Sequence, residues 1–154
     1  MTQPSRHSVS VAAVVTDDQG DVLLIKRRDN GQWQIPGGVL ELDESIHAGL
    51  VREVNEETGI WVEPGSLTGV YKNMSLGVVA LVFSARVTGG TAAPTAEAVE
   101  VAWWPPSRIR EETTEAFAVR VTDALSQSPS VCVRVHDGIN VLHEKRQPSD
   151  HPAT

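Results

Sequence analysis

Residues 38–60 read GVLELDESIHAGLVREVNEETGI, and this stretch predicts the central helix of the fold. Ile46, Leu50 and Val54 recur at helical spacing and form an apolar stripe. We expect a helix over residues 45–58, with Asp43 as its N-cap and Gly59 as its C-terminal stop. The stretch therefore predicts an amphipathic helix that packs one face onto a core.

Three acids occupy the last turns of this helix. Glu53, Glu56 and Glu57 stand at i, i+3 and i+4, so their side chains cluster on one side. Their mutual repulsion and the helix macrodipole both disfavour this arrangement, which suggests a functional reason for it. Carboxylate clusters suit Mg²⁺ or Mn²⁺. The acids alone leave a second interpretation open, a solvated face on which Arg52 pairs with Glu56.

The complete stretch resembles the signature of the Nudix hydrolase family. That signature is Gly, five residues, Glu, seven residues, Arg-Glu, an aliphatic, any residue, Glu-Glu, any residue, Gly and an aliphatic. The matching residues are Gly38, Glu44, Arg52, Glu53, Val54, Glu56, Glu57, Gly59 and Ile60. The preceding Trp33-x-x-Pro36-Gly37 is similar to the family's lead-in. The resemblance implies an α/β fold, an α/β/α sandwich with a mixed β-sheet between helices.

The resemblance also implies a metal site. Glu53, Glu56 and Glu57 would be ligands of Mg²⁺, with Mn²⁺ as the other option, and the Gly38 carbonyl would assist them. A glycine suits this place because a backbone without Cβ can approach a metal or phosphate closely. No Ser-His or Cys-His arrangement suggests a covalent nucleophile.

Two further signature residues have implied roles beside plainer alternatives. Arg52 would orient the glutamates through charge-assisted hydrogen bonds, or it would form only a surface pair. Glu44 would hold the loop to the helix, or it would act as a general base outside the set of metal ligands. Alternatively, it is a favourable charge in the first helical turn.

Outside the signature, the sequence offers fewer observations for each candidate residue. Arg28 matches a position where family members often place a substrate-phosphate arginine; a solvated strand end is the alternative. Trp33 would stack on a base or pack as a wall of the loop. Strand alternation favours Glu100 as an additional metal ligand or base, because an acid within an apolar strand needs a partner; a surface acid at the sheet edge is the alternative. We expect Glu97 to be solvated on its loop.

The implied reaction is attack of water on one phosphorus of a diphosphate linkage. We expect an enzyme, a Nudix pyrophosphohydrolase acting on a small nucleoside diphosphate derivative. The leading substrates are nucleoside triphosphates, including oxidised ones, and ADP-ribose or sugar nucleotides. A non-catalytic sensor that binds a nucleotide or ADP-ribose is the alternative. An RNA-processing hydrolase is disfavoured because the net charge of −7 offers no basic surplus for a phosphate backbone.

The length of 154 residues fits a single domain. We expect a core over about residues 8–126, with a second helix near 112–125. A hairpin over 131–143 would turn at Asp137-Gly138, and loose tails would lie at 1–6 and 145–154. The alternating VCVRVH strand suggests an exposed edge that would serve a homodimer. The single cysteine, Cys132, and the lack of a long apolar run favour the cytoplasm and no membrane partner.

Overall fold

The structure, a computed structural model, describes residues 3–143. The tail predicted at 145–154 lies outside the described residues, as do the first two residues of the N-terminal tail. Nine strands and three helices follow one another in the described range. They are β1 Ser8–Val15, β2 Val22–Arg27, β3 Trp33–Gln34, β4 Gly37–Val39, α1 Ile46–Thr58, β5 Ile60–Asn73, β6 Val78–Gly90, β7 Ala98–Trp104, α2 Pro106–Glu112, α3 Glu115–Leu125, β8 Cys132–His136 and β9 Val141–Leu142.

The strands form two sheets. The larger sheet has six strands in the order β4-β1-β6-β5-β8-β9, and β3-β2-β7 form a separate antiparallel sheet. β1 pairs parallel with β6 and β5 pairs parallel with β8, whereas the other pairs in the larger sheet are antiparallel. The predicted α/β class with a mixed sheet is confirmed. The division into two sheets and the short helix α2, which starts at its N1 proline, were not predicted.

Apolar residues on both faces of β1 explain the layered arrangement. Val11, Ala13 and Val15 belong to a core cluster that includes Leu50 and Val54 of α1. The alternate residues of β1, Ala12 and Val14, belong to a second cluster. That cluster includes Ile109 of α2 with Ala118 and Val121 of α3. Because successive side chains of a strand point to opposite faces, β1 is covered by helices on both sides.

Helix α1 begins one residue later than expected and has a different cap. Ser45, not Asp43, is the N-cap, and its hydroxyl accepts a hydrogen bond from Ala48 N at 3.2 Å. Ser45 stands three residues before that amide, the spacing that an N-cap side chain reaches. Gly59 ends the helix at φ 79°, a left-handed conformation that favours glycine, so the predicted stop is confirmed.

The hairpin expected around Asp137-Gly138 is present. β8 and β9 pair antiparallel, with Gly138 at φ 102° in the turn. β8 also pairs with β5, so the hairpin extends the large sheet. Val133 on β8 is 73% exposed, and a role of this surface in dimerisation stays a prediction. None of the helices in residues 3–143 is both long and apolar enough to cross a membrane.

Candidate functional site

Three carboxylates meet beside the C-terminal half of α1. Glu53, Glu57 and Glu97 each offer an oxygen, and these oxygens lie within 4.8 Å of one another. Glu53 and Glu57 are one helical turn apart and nearly buried, whereas Glu97 is exposed and immediately precedes β7. The fold thus brings together two signature acids and one acid that the sequence pattern did not select.

Burial shapes the electrostatics of this cluster. Desolvation raises the pKa of Glu57 to about 8, and the nearby charge of Glu53 adds to the effect. The hydrogen bond from Gly37 N to Glu57 Oε2, at 3.5 Å, lowers the pKa of Glu57 but offsets only part of this rise. Desolvation also raises the pKa of Glu53, although Arg52 opposes it. Buried carboxylates whose charge is only partly compensated suit a hard divalent ion, so these residues fit the metal that the family resemblance implies.

Gly38 lies directly against one member of the cluster. A Cβ built at Gly38 would overlap the carboxyl group of Glu53, so a side chain at this position would displace that carboxylate. β4 carries Gly38 to this place by pairing with β1, where Val11 is its partner. The close approach agrees with the reason given for a glycine here. Coordination through the Gly38 carbonyl stays a prediction.

Arg52 joins the helix acids to the preceding loop. Its Nη2 and Nε donate to the two carboxylate oxygens of Glu44 at 2.6 and 2.9 Å, and its Nη1 donates to Glu53 at 2.9 Å. Glu56 accepts from the same Nη1 at 3.1 Å; its side chain is 50% exposed, and it lies outside the three-acid group. Of the three glutamates predicted as metal ligands, Glu56 is therefore the one that lies outside the acid cluster, where it is bound by Arg52.

Glu44 is held as an anion. The hydrogen bonds from Arg52, followed by one from Glu41 N, lower the pKa of Glu44 to about 2. A carboxylate so stabilised accepts a proton poorly near neutral pH. A Cβ at Gly49 would come 2.9 Å from Glu44 Oε1 and 2.5 Å from Leu40 Cδ1, so this mid-helix glycine packs closely against both residues. Of the two roles considered for Glu44, the contacts favour holding the loop to the helix.

Glu100 was selected over Glu97 from strand alternation, and the structure gives the two acids different surroundings. Glu100 faces Lys26 on the neighbouring strand, at 4.0 Å between Nζ and Oε2, and its side chain is 59% exposed. In the described part of the chain it joins no acid cluster. The pairing of β2 with β7 shifts register between Lys26 and Arg27. The alternation is therefore interrupted between Glu100 and Ala98, on the side of the strand that leads to Glu97.

Hydrogen bonds fix the loop that carries Glu97. Thr95 Oγ1 donates to the Glu57 carbonyl at 3.1 Å, which ties this loop to the end of α1. Arg28 donates to the carbonyl oxygens of Ala96 and Thr95, at 2.9 and 3.1 Å, and its backbone N–H donates to Glu97 O at 3.1 Å. The Thr/Pro-rich composition suggested a solvated loop, and no local pattern reveals these long-range bonds.

A cleft of about 580 Å³ opens beside the acids. It is lined by Ile25, Arg27, Arg28, Asp29, Gln34, Gly37, Gly38, Val39, Glu53, Glu57, Ala96 and Glu97. Arg27 was not selected from the sequence, although it stands beside Arg28 in LLIKRR; here it is bound to Asp29. Trp33 is absent from the lining and packs against Trp104, with ring centroids 4.7 Å apart. The contact favours the packing alternative for Trp33.

The comparisons with known proteins agree on one family. A family model described as the NUDIX domain matches residues 6–125. A MutT-like protein of Streptomyces ambofaciens is 49% identical over 141 residues, which cover 92% of this chain and 91% of that protein. The human 8-oxo-dGDP phosphatase is 40% identical over 106 residues, which cover 64% of this chain and 32% of that protein.

A solved structure extends the likeness to three dimensions. The MutT protein from Methanosarcina mazei Go1 superimposes with a TM-score of 0.68 at 29% identity, covering 79% of this chain and 94% of that chain. The domain match covers most of the sequence, and two of the signature acids, Glu53 and Glu57, line the cleft. This chain belongs to the Nudix family and is a Nudix pyrophosphohydrolase.

Proposed function

We propose that this protein hydrolyses a diphosphate linkage in a small nucleoside diphosphate derivative and that it requires a divalent metal ion. The observation that carries the proposal is the convergence of Glu53, Glu57 and Glu97 on the wall of a cleft. Arg27 and Arg28 line the same cleft, so cationic groups stand near the acids. A site of this kind suits phosphate oxygens bridged to a cation.

Glu53, Glu57 and Glu97 would hold Mg²⁺, or Mn²⁺ in its place, with Glu56 and the Gly38 carbonyl close by. Such an ion supplies Lewis acidity, which neutralises phosphate charge and lowers the pKa of water. Glu53 stays oriented because Arg52 holds one of its oxygens and binds Glu44 with the rest of its guanidinium.

Glu97 is our candidate for the group that accepts the proton from the attacking water. It is exposed to the cleft, whereas Glu53 and Glu57 are nearly buried. Glu44 is a poor alternative because its pKa is lowered to about 2. Arg28 would act on Glu97 indirectly, by bracing the loop on which it stands. Arg27, which is partly exposed, is the better placed of the two arginines for binding substrate phosphates.

The substrate class we propose is a nucleoside di- or triphosphate, including nucleotides with an oxidised base. One relative that shares 40% identity with this chain is called an 8-oxo-dGDP phosphatase, and this supports the class. ADP-ribose and sugar nucleotides form the second class, since they contain the same linkage. The alternative of a non-catalytic sensor has less support, because every signature acid is present. We also propose a cytoplasmic location; a homodimer through the β8–β9 hairpin stays a prediction.

The test is a panel of nucleoside di- and triphosphates, 8-oxo-dGDP, ADP-ribose and sugar nucleotides, assayed with Mg²⁺, with Mn²⁺ and with EDTA. Products are identified by phosphorus NMR, which shows the bond that breaks. Replacing Glu57 or Glu53 by Gln should lower kcat by at least about a hundredfold. Glu63→Gln is the matched control, because Glu63 pairs with Arg86 on the exposed surface. Metal-independent turnover, or wild-type turnover in both signature variants, would refute the proposal.

A further inference from the structure

A second cavity, of about 240 Å³, adjoins the cleft. Both are lined by Arg27, Gln34, Gly37, Gly38 and Val39. Apolar residues form most of the remaining wall; they are Val11, Ala12, Ile35, Leu76, Val78 and Phe117. A ligand that spanned the two spaces would place a charged group beside the acids and an apolar group in this second cavity.

Arg120 of α3 lines the second cavity and lacks an acidic partner. Its side chain is only 8% exposed, and across residues 3–143 no carboxylate forms an ion pair with it. Asp123, three residues further along α3, is bound instead by Tyr71 and Arg134. Within the same range, Arg120 Nε has no hydrogen-bond partner. Burial lowers the pKa of Arg120 to about 10, so the guanidinium stays charged at neutral pH.

Aromatic rings compensate this buried charge only in part. The guanidinium carbon lies 5.2 Å from the ring centre of Tyr71 and 5.0 Å from that of Phe117. Cation–π contacts of this kind are weak, whereas removing an unpaired charge from water is strongly unfavourable. A buried cation with so little compensation is more easily explained if it meets an acceptor supplied by a ligand.

The hydrogen bonds of His136 also indicate a place for an acceptor supplied by a ligand. Gly138 N–H donates to His136 Nδ1 at 3.0 Å, and Arg120 Nη2 lies 3.3 Å from His136 Nε2. Burial, followed by the charge of Arg120, lowers the pKa of His136, which favours the neutral ring. A neutral imidazole that accepts at Nδ1 carries its hydrogen at Nε2. The Nε2–H and the Arg120 N–H are then two donors that face each other, and neither can accept.

We propose that Arg120 and His136 form a recognition subsite for a hydrogen-bond acceptor on the nucleobase, most simply the keto oxygen at position 6 of a purine. An oxygen placed against both groups would accept from Arg120 Nη2 and from His136 Nε2. Arginine is well suited to the acceptor edge of guanine. The aromatic and aliphatic walls would cover the faces of the base. The assignment rests on the proposed function, because it assumes that the phosphates lie beside the acids.

The apolar walls favour a base over a phosphate group in this cavity. A phosphate carries acceptors on every side, so most of its oxygens would lose hydrogen bonds against residues such as Val78 and Phe117. A heterocycle presents acceptors only at its edge and buries its faces favourably. The subsite therefore predicts discrimination between keto and non-keto purines and gives no reason for stronger phosphate binding.

The experiment compares inosine monophosphate with purine-riboside monophosphate, since only the first carries the position-6 keto oxygen. Binding to the full-length protein is measured by calorimetry in EDTA. Wild-type protein should bind inosine monophosphate at least about tenfold more tightly, because a hydrogen bond to a charged donor contributes roughly 1.5–3 kcal/mol. Arg120→Met should bring the two affinities to within about twofold, and Arg120→Lys should restore part of the preference.

Equal affinities in the wild-type protein would overturn the assignment, and this comparison needs no variant to fold. An equal loss for both ligands in Arg120→Met would also overturn it, because that result indicates a phosphate contact or a structural role. The readout is independent of catalysis. A preserved preference in a protein that hydrolyses no diphosphate would refute the proposed function and leave the subsite standing.

Discussion

The guanidinium of Arg52 binds the carboxylate of Glu44 with two hydrogen bonds, Nη2 to Oε1 at 2.6 Å and Nε to Oε2 at 2.9 Å. Lysine cannot reproduce this planar fork, and it could not hold Glu44 and Glu53 at once. We expect Arg52→Lys to lower kcat by about ten- to a hundredfold, because the ligand carboxylates lose their orientation. Steady-state kinetics and a Mn²⁺ titration measure the effect. Arg86→Lys is the control; Arg86 forms an exposed ion pair with Glu63, and this variant should behave as wild type. An unchanged kcat in Arg52→Lys would contradict the orienting role.

Glu97 and Glu100 are two acids of one segment with different surroundings. Glu97 stands with Glu53 and Glu57, whereas Glu100 pairs with Lys26 at the surface. With Mg²⁺ saturating, Glu97→Gln should lower kcat by about a hundredfold, and Glu100→Gln should stay within about twofold of wild type. The pH profile of kcat for both variants completes the test. Greater damage in Glu100→Gln would restore the assignment made from strand alternation.

Arg28 supports the loop of Glu97 through two hydrogen bonds to carbonyl oxygens. Removing them in Arg28→Ala should loosen residues 95–97 and lower kcat by about tenfold, with a smaller change in KM. Hydrogen exchange of the loop amides, such as that of Ala98 bound to Thr95 Oγ1, should become faster. A large increase in KM with unchanged exchange would instead indicate a direct phosphate contact.

The raised pKa of Glu57 predicts how the metal-free protein responds to pH. Its pKa is about 8 in the folded state, against an ordinary 4.5, so the folded state binds this proton more tightly than the unfolded state. The free energy of unfolding should therefore fall as pH rises from about 4.5 to 8, by on the order of 3 kcal/mol. Urea denaturation in EDTA across this range should show the fall, and Glu57→Gln should abolish its largest part. Mg²⁺ should restore stability at pH 8; a flat wild-type profile would contradict the buried position of Glu57.

Asp123 connects α3 to two strands of the large sheet. Its Oδ2 accepts from the Tyr71 hydroxyl at 2.8 Å, and Arg134 donates to both of its oxygens at 2.7 and 2.8 Å. Burial alone would raise the pKa of Asp123, but these hydrogen bonds outweigh it and lower the pKa. Asp123→Asn should lower the free energy of unfolding by about 2 kcal/mol at pH 7, with the difference shrinking as pH falls through the folded-state pKa. Glu112→Gln, at an exposed helix pair, is the control for the same denaturation measurement.

Local patterns in the sequence were sufficient for the helix, its acids and the family. The apolar stripe and the stop at Gly59 depend on neighbours within a few residues. The structure has the stop and buries Leu50 and Val54, whereas Ile46 in the first turn is exposed. Even so, the N-cap was assigned to Asp43 instead of Ser45, because both residues are acceptable caps and only the backbone geometry selects one.

The composition of the site depended on contacts between residues far apart in the chain. Glu97 reaches Glu57 only because Thr95 and Arg28 fix its loop by bonds that span 38 and 68 residues. Likewise, the pairing of β8 with β5 brings His136 to Arg120. Sequence by itself determined the signature helix and hence the reaction class, since these depend on short-range periodicity and residue type. Only the tertiary structure decided which acid completes the cluster and which cation faces the second cavity, because strand register and burial are set by the whole chain.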